Sequence, residues 1–130
     1  MTDPSPKRTV VVVEDDDAWR STIADWLKAK GCHVLALSRG DWVTTALKTY
    51  SVDAVILDVH LPGPSGLEVL RSLRLQWPVL PVIITTAFGG PGAQAAAIQD
   101  GATAYLEKPF SLRRLTTVMD RVTRTSGTST

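Results

Sequence analysis

The chain has 130 residues, enough for one domain, and its 44% hydrophobic and 21% charged residues exclude a disordered protein and a disulfide-stabilised miniprotein. A formal net charge of +1 indicates no long-range field toward nucleic acid or an anionic membrane. One cysteine, the lack of a signal-peptide pattern and the lack of a membrane-length apolar run predict a cytoplasmic protein that binds neither nucleic acid nor membrane directly.

Strand and helix patterns alternate from the N-terminus onward. The β-branched run Val10 to Val13 is typical of a strand buried on both faces, and the acidic run Glu14 to Asp17 follows it. A helical period then continues to Gly31, which indicates a helix end. The remaining pattern is extended at 33–37, helical at 41–50, extended at 54–57, helical from 66 until Pro78, extended at 81–86, helical from 91 to Gly101, extended at 104–107, and helical after Ser111.

Five strands that alternate with five helices, without a hairpin turn between them, predict an α/β fold with right-handed crossovers. We expect a five-stranded parallel sheet of the flavodoxin-like (βα)5 type, with strand order 2-1-3-4-5. The predicted domain covers residues 9–123, between flexible tails at 1–8 and 124–130.

Polar residues stand at the predicted carboxyl ends of four strands. They are Glu14 and Asp15 after the first strand, Asp58 after the third, Thr86 at the fourth and Lys108 after the fifth. These ends meet at one edge of a parallel sheet, where ligands bind. If the first and third strands are neighbours, two carboxylates about 4 Å apart repel by about 4 kcal/mol at an effective dielectric of about 20. We therefore expect a cation there, and an all-oxygen site favours Mg²⁺.

This arrangement suits phosphoryl transfer onto a carboxylate. A positioned carboxylate can attack phosphorus if the charge on the equatorial oxygens is stabilised. Mg²⁺, Lys108 and the Thr86 hydroxyl would stabilise that charge from three directions, so Asp58 is the predicted acceptor.

Five separated motifs occur in order along the chain. They are VVVVEDD at 10–16, DVHLPGPSG at 58–66, the Thr86-Ala87 pair, Tyr105, and EKPF at 107–110. With these motifs the chain resembles, over roughly residues 8–122, the response-regulator receiver domain of bacterial two-component systems. Any one of the motifs alone would be weak.

The resemblance implies that Asp58 takes a phosphoryl group from a histidine kinase, a phosphotransfer protein or a small phosphodonor. Asp15 and Asp58 would ligate Mg²⁺ directly, Glu14 would do so through water, and the backbone carbonyl of His60 would complete the protein ligands. Glu14 stands where Asp is the more frequent residue in this family.

The resemblance also implies a switch. Thr86 would move toward the phosphoryl group, Tyr105 would turn inward behind it, and the Lys108-Pro109 bond would be cis. The surface of the fourth helix, fifth strand and fifth helix, about residues 91–124, would then change. Its output would be an effector protein, an effector domain absent from this chain, or a homodimer. The chain would be a signalling module that catalyses only its own phosphorylation and slow dephosphorylation.

Other interpretations remain open at this point. A Mg²⁺-dependent phosphatase with an aspartyl nucleophile typically needs a second acid two residues later, where this chain has His60. A phosphorylation-independent interaction domain would not need the full set of pocket residues. A flavin site is disfavoured because acids occupy the turn where a phosphate would bind. For Tyr105, a switch role and an ordinary half-buried aromatic are about equally supported.

Trp19 follows Asp15 by four positions on the predicted first helix. We therefore expect its side chain to lie near the acidic site and its fluorescence to respond to a bound metal ion.

Overall fold

The computed structural model describes residues 7–127, and side chains as far as residue 123. The strands are β1 (Thr9–Val13), β2 (His33–Leu37), β3 (Ala54–Asp58), β4 (Val82–Thr86) and β5 (Ala104–Glu107). They pair in parallel, in the order β2-β1-β3-β4-β5. The predicted fold class and strand order are confirmed.

The helices are α1 (Asp17–Ala29), α2 (Val43–Thr49), α3 (Gly66–Gln76), α4 (Pro91–Gln99) and α5 (Leu112–Gly127). A 3-10 turn over Gly40–Trp42 precedes α2, so the helix predicted from residue 41 begins two residues later. Helix α5 continues to Gly127, four residues beyond the predicted domain boundary at 123. The parts of the predicted tails at 1–6 and 128–130 lie outside the described residues.

The sheet is covered on both faces, so each central strand alternates between two hydrophobic layers. Val11, Leu57 and Ile84 pack in the layer that includes residues of α2 and α3. Val12 and Ile56 pack in the opposite layer, with residues of α1 and α5. Burying one such side chain contributes about 1.5–3 kcal/mol, so these layers hold β1, β3 and β4 firmly in the middle of the sheet.

Helix caps fix the loops at the carboxyl edge of the sheet. The Asp16 carboxylate accepts the Trp19 N–H at 3.0 Å and caps α1. Ser65 and Glu68 form the predicted capping box at the start of α3. The loops after β1 and β3 therefore leave the sheet in defined directions. Of the helices within residues 7–127, none combines the length and the apolar character that crossing a membrane requires.

Candidate functional site

An ammonium group lies between two buried carboxylates at the carboxyl edge of the sheet. Lys108 Nζ is 2.7 Å from Glu14 Oε1 and 3.1 Å from Asp58 Oδ2. Both acids are only 3% exposed. Glu14 and Lys108 directly follow β1 and β5, and Asp58 is the last residue of β3, so these distant strand ends converge as predicted.

Asp15 adds a third carboxylate to this crevice. One oxygen from each of Glu14, Asp15 and Asp58 lies within 4.8 Å of the others, and Asp15 is exposed to solvent. Two oxygens bound to one Mg²⁺ lie at most about 4.2 Å apart, since each Mg–O distance is about 2.1 Å. A small movement of the three carboxylates toward one another, or a water between Glu14 and the ion, would allow all three to bind one Mg²⁺. The donor atoms and their spacing fit Mg²⁺.

His60 contacts the acceptor candidate through its backbone N–H, which donates to Asp58 Oδ1 at 3.1 Å. Its ring packs edge-on against Phe88, with 4.9 Å between the ring centroids. The sequence did not predict this aromatic pair. The available signal was that His60 stands two residues after Asp58 and Phe88 two residues after Thr86. The role of the His60 carbonyl in metal binding stays a prediction.

Thr86 and Tyr105 lie on adjacent strands beside this crevice. Thr86 is buried, follows the residue that pairs with Asp58, and accepts the Phe88 N–H with its hydroxyl at 3.0 Å. The Tyr105 hydroxyl is buried without a hydrogen-bond partner among the described residues. Desolvation, aided by the charge of Glu107, raises the pKa of Tyr105, so the phenol stays neutral. The switch roles of Thr86 and Tyr105 stay predictions, whereas the implied cis Lys108-Pro109 bond is present.

Burial and hydrogen bonding act in opposite directions on the pKa of Lys108 and on the pKa of Glu14, and a different one of them dominates in each. Burial alone would lower the pKa of Lys108, but its hydrogen bonds to Glu14 and Asp58 outweigh that effect and raise it. The lysine therefore stays charged at neutral pH. Burial raises the pKa of Glu14, and the nearby Asp58 charge adds to the rise, despite the Lys108 and Asp16 hydrogen bonds that lower it.

Glu14→Gln is expected to remove a pH-dependent cost to stability. Because the folded-state pKa of Glu14 is raised, the folded protein retains this proton where the unfolded chain has released it. The group therefore stabilises the fold below its ordinary pKa and loses that contribution as the pH rises. In metal-free urea unfolding between about pH 4 and pH 7, wild type should lose stability relative to Glu14→Gln as the pH increases. A difference that stays constant or grows in favour of wild type would contradict the assignment.

Two residues of α1 border the acidic cluster. Trp19 packs edge-on against Phe110, with 5.5 Å between centroids, and lines a cleft with Asp16, Lys108 and Pro109. Its predicted proximity to the site is confirmed. Arg20, which the sequence reasoning missed, donates from Nη1 to the Glu14 carbonyl at 2.7 Å. The sequence does contain a sign of this contact, because a basic residue in the first turn of a helix can reach back to the acidic run before it.

Comparison with known proteins assigns the chain to a family. The family described as response regulator receiver domain matches residues 10–120. The DNA-binding transcriptional regulator NtrC of Klebsiella pneumoniae is 34% identical over 110 residues, which are 85% of this chain and 24% of that protein. The response regulator protein FleR of Pseudomonas aeruginosa is 35% identical over 112 residues, 86% of this chain and 24% of that protein.

Solved structures agree with the family match. The BeF3-activated N-terminal receiver domain of Klebsiella pneumoniae RstA has a TM-score of 0.85 at 28% identity, covering 90% of this chain and 99% of that one. This chain spans about a quarter of the length of NtrC and FleR. Since the family match covers most of the chain, including both acidic strand ends and Lys108, this protein belongs to the response regulator receiver domain family.

Proposed function

We propose that Asp58 accepts a phosphoryl group in a Mg²⁺-dependent reaction, from the phosphohistidine of a histidine kinase or of a phosphotransfer protein. The observation that carries this proposal is the Lys108 ammonium held 3.1 Å from Asp58 and 2.7 Å from Glu14, with the Asp15 carboxylate beside them. Receiver domains of response regulators are signalling modules, and this crevice provides the chemistry that such a module needs.

The residues divide the work of transfer among them. An Asp58 oxygen forms the new P–O bond while the donor's P–N bond breaks and its imidazole keeps the electron pair. Lys108 stabilises the charge on the transferred group, and the Thr86 hydroxyl, which accepts the Phe88 N–H, can donate its proton to one of the phosphoryl oxygens. Asp15, Asp58, a water on Glu14 and the His60 carbonyl would hold Mg²⁺, which would neutralise further charge at that position.

The output would be a shift between two arrangements of the α4-β5-α5 face. Moving Thr86 toward a phosphoryl oxygen would break its bond with the Phe88 N–H, at the start of the loop that contains Gly90. Gly90 has a φ of 123°, a conformation that only glycine adopts readily. Inward rotation of Tyr105 would allow its hydroxyl, which has no hydrogen-bond partner among the described residues, to form a hydrogen bond. The face would then control an effector protein, an effector domain or a homodimer.

A titration with Mg²⁺ followed by beryllofluoride, a phosphoryl mimic, tests the site and its output together. We expect Mg²⁺ to change the fluorescence of wild type and not that of Trp19→Phe. Trp19 lines the cleft beside Asp16 and Lys108, whereas the other three tryptophans do not line it. Beryllofluoride should then change the size in solution if the output is a homodimer. A wild-type protein that binds neither Mg²⁺ nor beryllofluoride would contradict the proposed function.

A further inference from the structure

Arg20 connects the end of β1 to the start of α1. Its Nη1 donates to the Glu14 carbonyl at 2.7 Å, and its Nη2 donates to the Asp17 carboxylate at 2.6 Å. The Arg20 side chain is 19% exposed, whereas the Asp17 side chain is 87% exposed. The contact with the carbonyl is therefore the more sheltered of the two.

The Glu14 carbonyl stands where the strand ladder ends. The last paired residue of β1 is Val13, opposite Leu37 and Leu57. The Glu14 N–H still donates to the Leu37 carbonyl at 3.0 Å, but among the described residues the donor to the Glu14 carbonyl is Arg20. A backbone carbonyl in a sheltered position needs such a partner. Arg20 therefore fixes the peptide that follows the last paired residue of β1.

That peptide carries Asp15. Of the residues that the structure describes, none hydrogen-bonds to the Asp15 carboxylate, which is exposed. The backbone around it is held on both sides, by Arg20 at the Glu14 carbonyl and by the Asp16 N–H, which donates to Glu14 Oε2 at 3.1 Å. The direction of the Asp15 side chain therefore depends on these two bonds.

We propose that Arg20 is a positioning residue for the divalent ion, acting through the Glu14 carbonyl to hold Asp15 beside Asp58. This inference rests on the proposed Mg²⁺ site. Arg20 itself does not ligate the ion, because a guanidinium has only N–H donors and no acceptor atom, and two of those donors bond to Glu14 and Asp17.

The charge of Arg20 and its proposed positioning of Asp15 predict opposite changes in the Kd for Mg²⁺ when Arg20 is removed. A guanidinium bonded to the Glu14 carbonyl, next to the acidic cluster, repels Mg²⁺, so its removal would strengthen ion binding if charge alone mattered. If Arg20 positions Asp15, its removal should weaken ion binding, because the carboxylate must be ordered when the ion binds. The sign of the change in Kd therefore separates the two explanations.

Three variants of the full chain make the test. Arg20→Met removes both the charge and the donors at similar length, and Arg20→Lys keeps the charge with one compact donor. Asp17→Asn is the matched control, because it weakens the other Arg20 contact and leaves the Glu14 carbonyl bond intact. Kd is measured with Mg²⁺ by calorimetry and with Mn²⁺ by electron paramagnetic resonance, and urea unfolding of the metal-free proteins reports the fold.

We expect Arg20→Met to raise Kd by about tenfold, the size typical of losing one charge-assisted hydrogen bond. Arg20→Lys should fall between Arg20→Met and wild type, and Asp17→Asn should stay within about twofold of wild type. If Arg20→Met does not fold, Arg20→Lys still tests the positioning role. It retains the charge but cannot bond to the Glu14 carbonyl and the Asp17 carboxylate with the geometry of a guanidinium.

A Kd that stays equal to that of wild type, or becomes tighter, in the folded Arg20 variants would overturn the positioning role. A wild-type protein that fails to bind Mg²⁺ or Mn²⁺ would instead refute the proposed metal site on which this inference rests. The two failures are therefore distinct.

Discussion

Asp58→Asn is expected to abolish labelling of the protein by radioactive acetyl phosphate. The amide has nearly the shape of the carboxylate and can still accept the His60 N–H, but it is a poor nucleophile toward phosphorus. Substitution also removes one of the two carboxylates that Lys108 bridges. We expect a loss of more than about a hundredfold in the labelling rate, measured in the presence of Mg²⁺, since the reacting atom itself is removed.

An aspartate just before the same strand supplies the control. Asp53 lies at the opposite end of β3, where its Oδ2 accepts the Thr9 N–H at 2.8 Å, so Asp53→Asn should label at the wild-type rate. Hydroxylamine sensitivity of the label identifies an acyl phosphate. Hydroxylamine-sensitive label that persists in Asp58→Asn would show that another carboxylate is the acceptor.

The framework of the site was predictable because it depends on backbone periodicity. Val10 to Val13 and Ala54 to Leu57 indicated buried parallel strands, and parallel strands must end at one edge. Lys108 follows β5, two strands away from β3, and was expected to stabilise charge at Asp58; its ammonium lies 3.1 Å from that carboxylate. Strand spacing and side-chain length were sufficient for that prediction.

The details that could not be predicted depend on loop conformation and rotamers. The Arg20 contact requires one particular rotamer across the first turn of α1, and the His60 and Phe88 rings meet only because two loops approach each other. Whether the Tyr105 hydroxyl finds a partner likewise depends on the packing of two helices over β5. Sequence patterns report which residues face a layer and not how their side chains are turned.

Gly66→Ala is expected to damage both stability and the acceptor site. A methyl group at this first residue of α3 would overlap the Asp58 carbonyl oxygen and lie 2.7 Å from Val59 Cα. These are backbone atoms, and the Gly66 N–H also donates to the Val59 carbonyl at 2.8 Å, so the start of α3 cannot move away freely. Overpacking of this kind costs about 1–3 kcal/mol, which urea unfolding would measure.

The same substitution should slow acetyl phosphate labelling, because relieving the overlap displaces the end of β3 and separates Asp58 from Lys108. Gly92→Ala is the matched control, since a methyl group there meets nothing within 4 Å and the residue lies in α4. That variant should keep wild-type labelling and gain about 0.5–1 kcal/mol through its higher helix propensity. If Gly66→Ala were as stable and as readily labelled as Gly92→Ala, close packing of α3 against the end of β3 would not be what holds Asp58 in place.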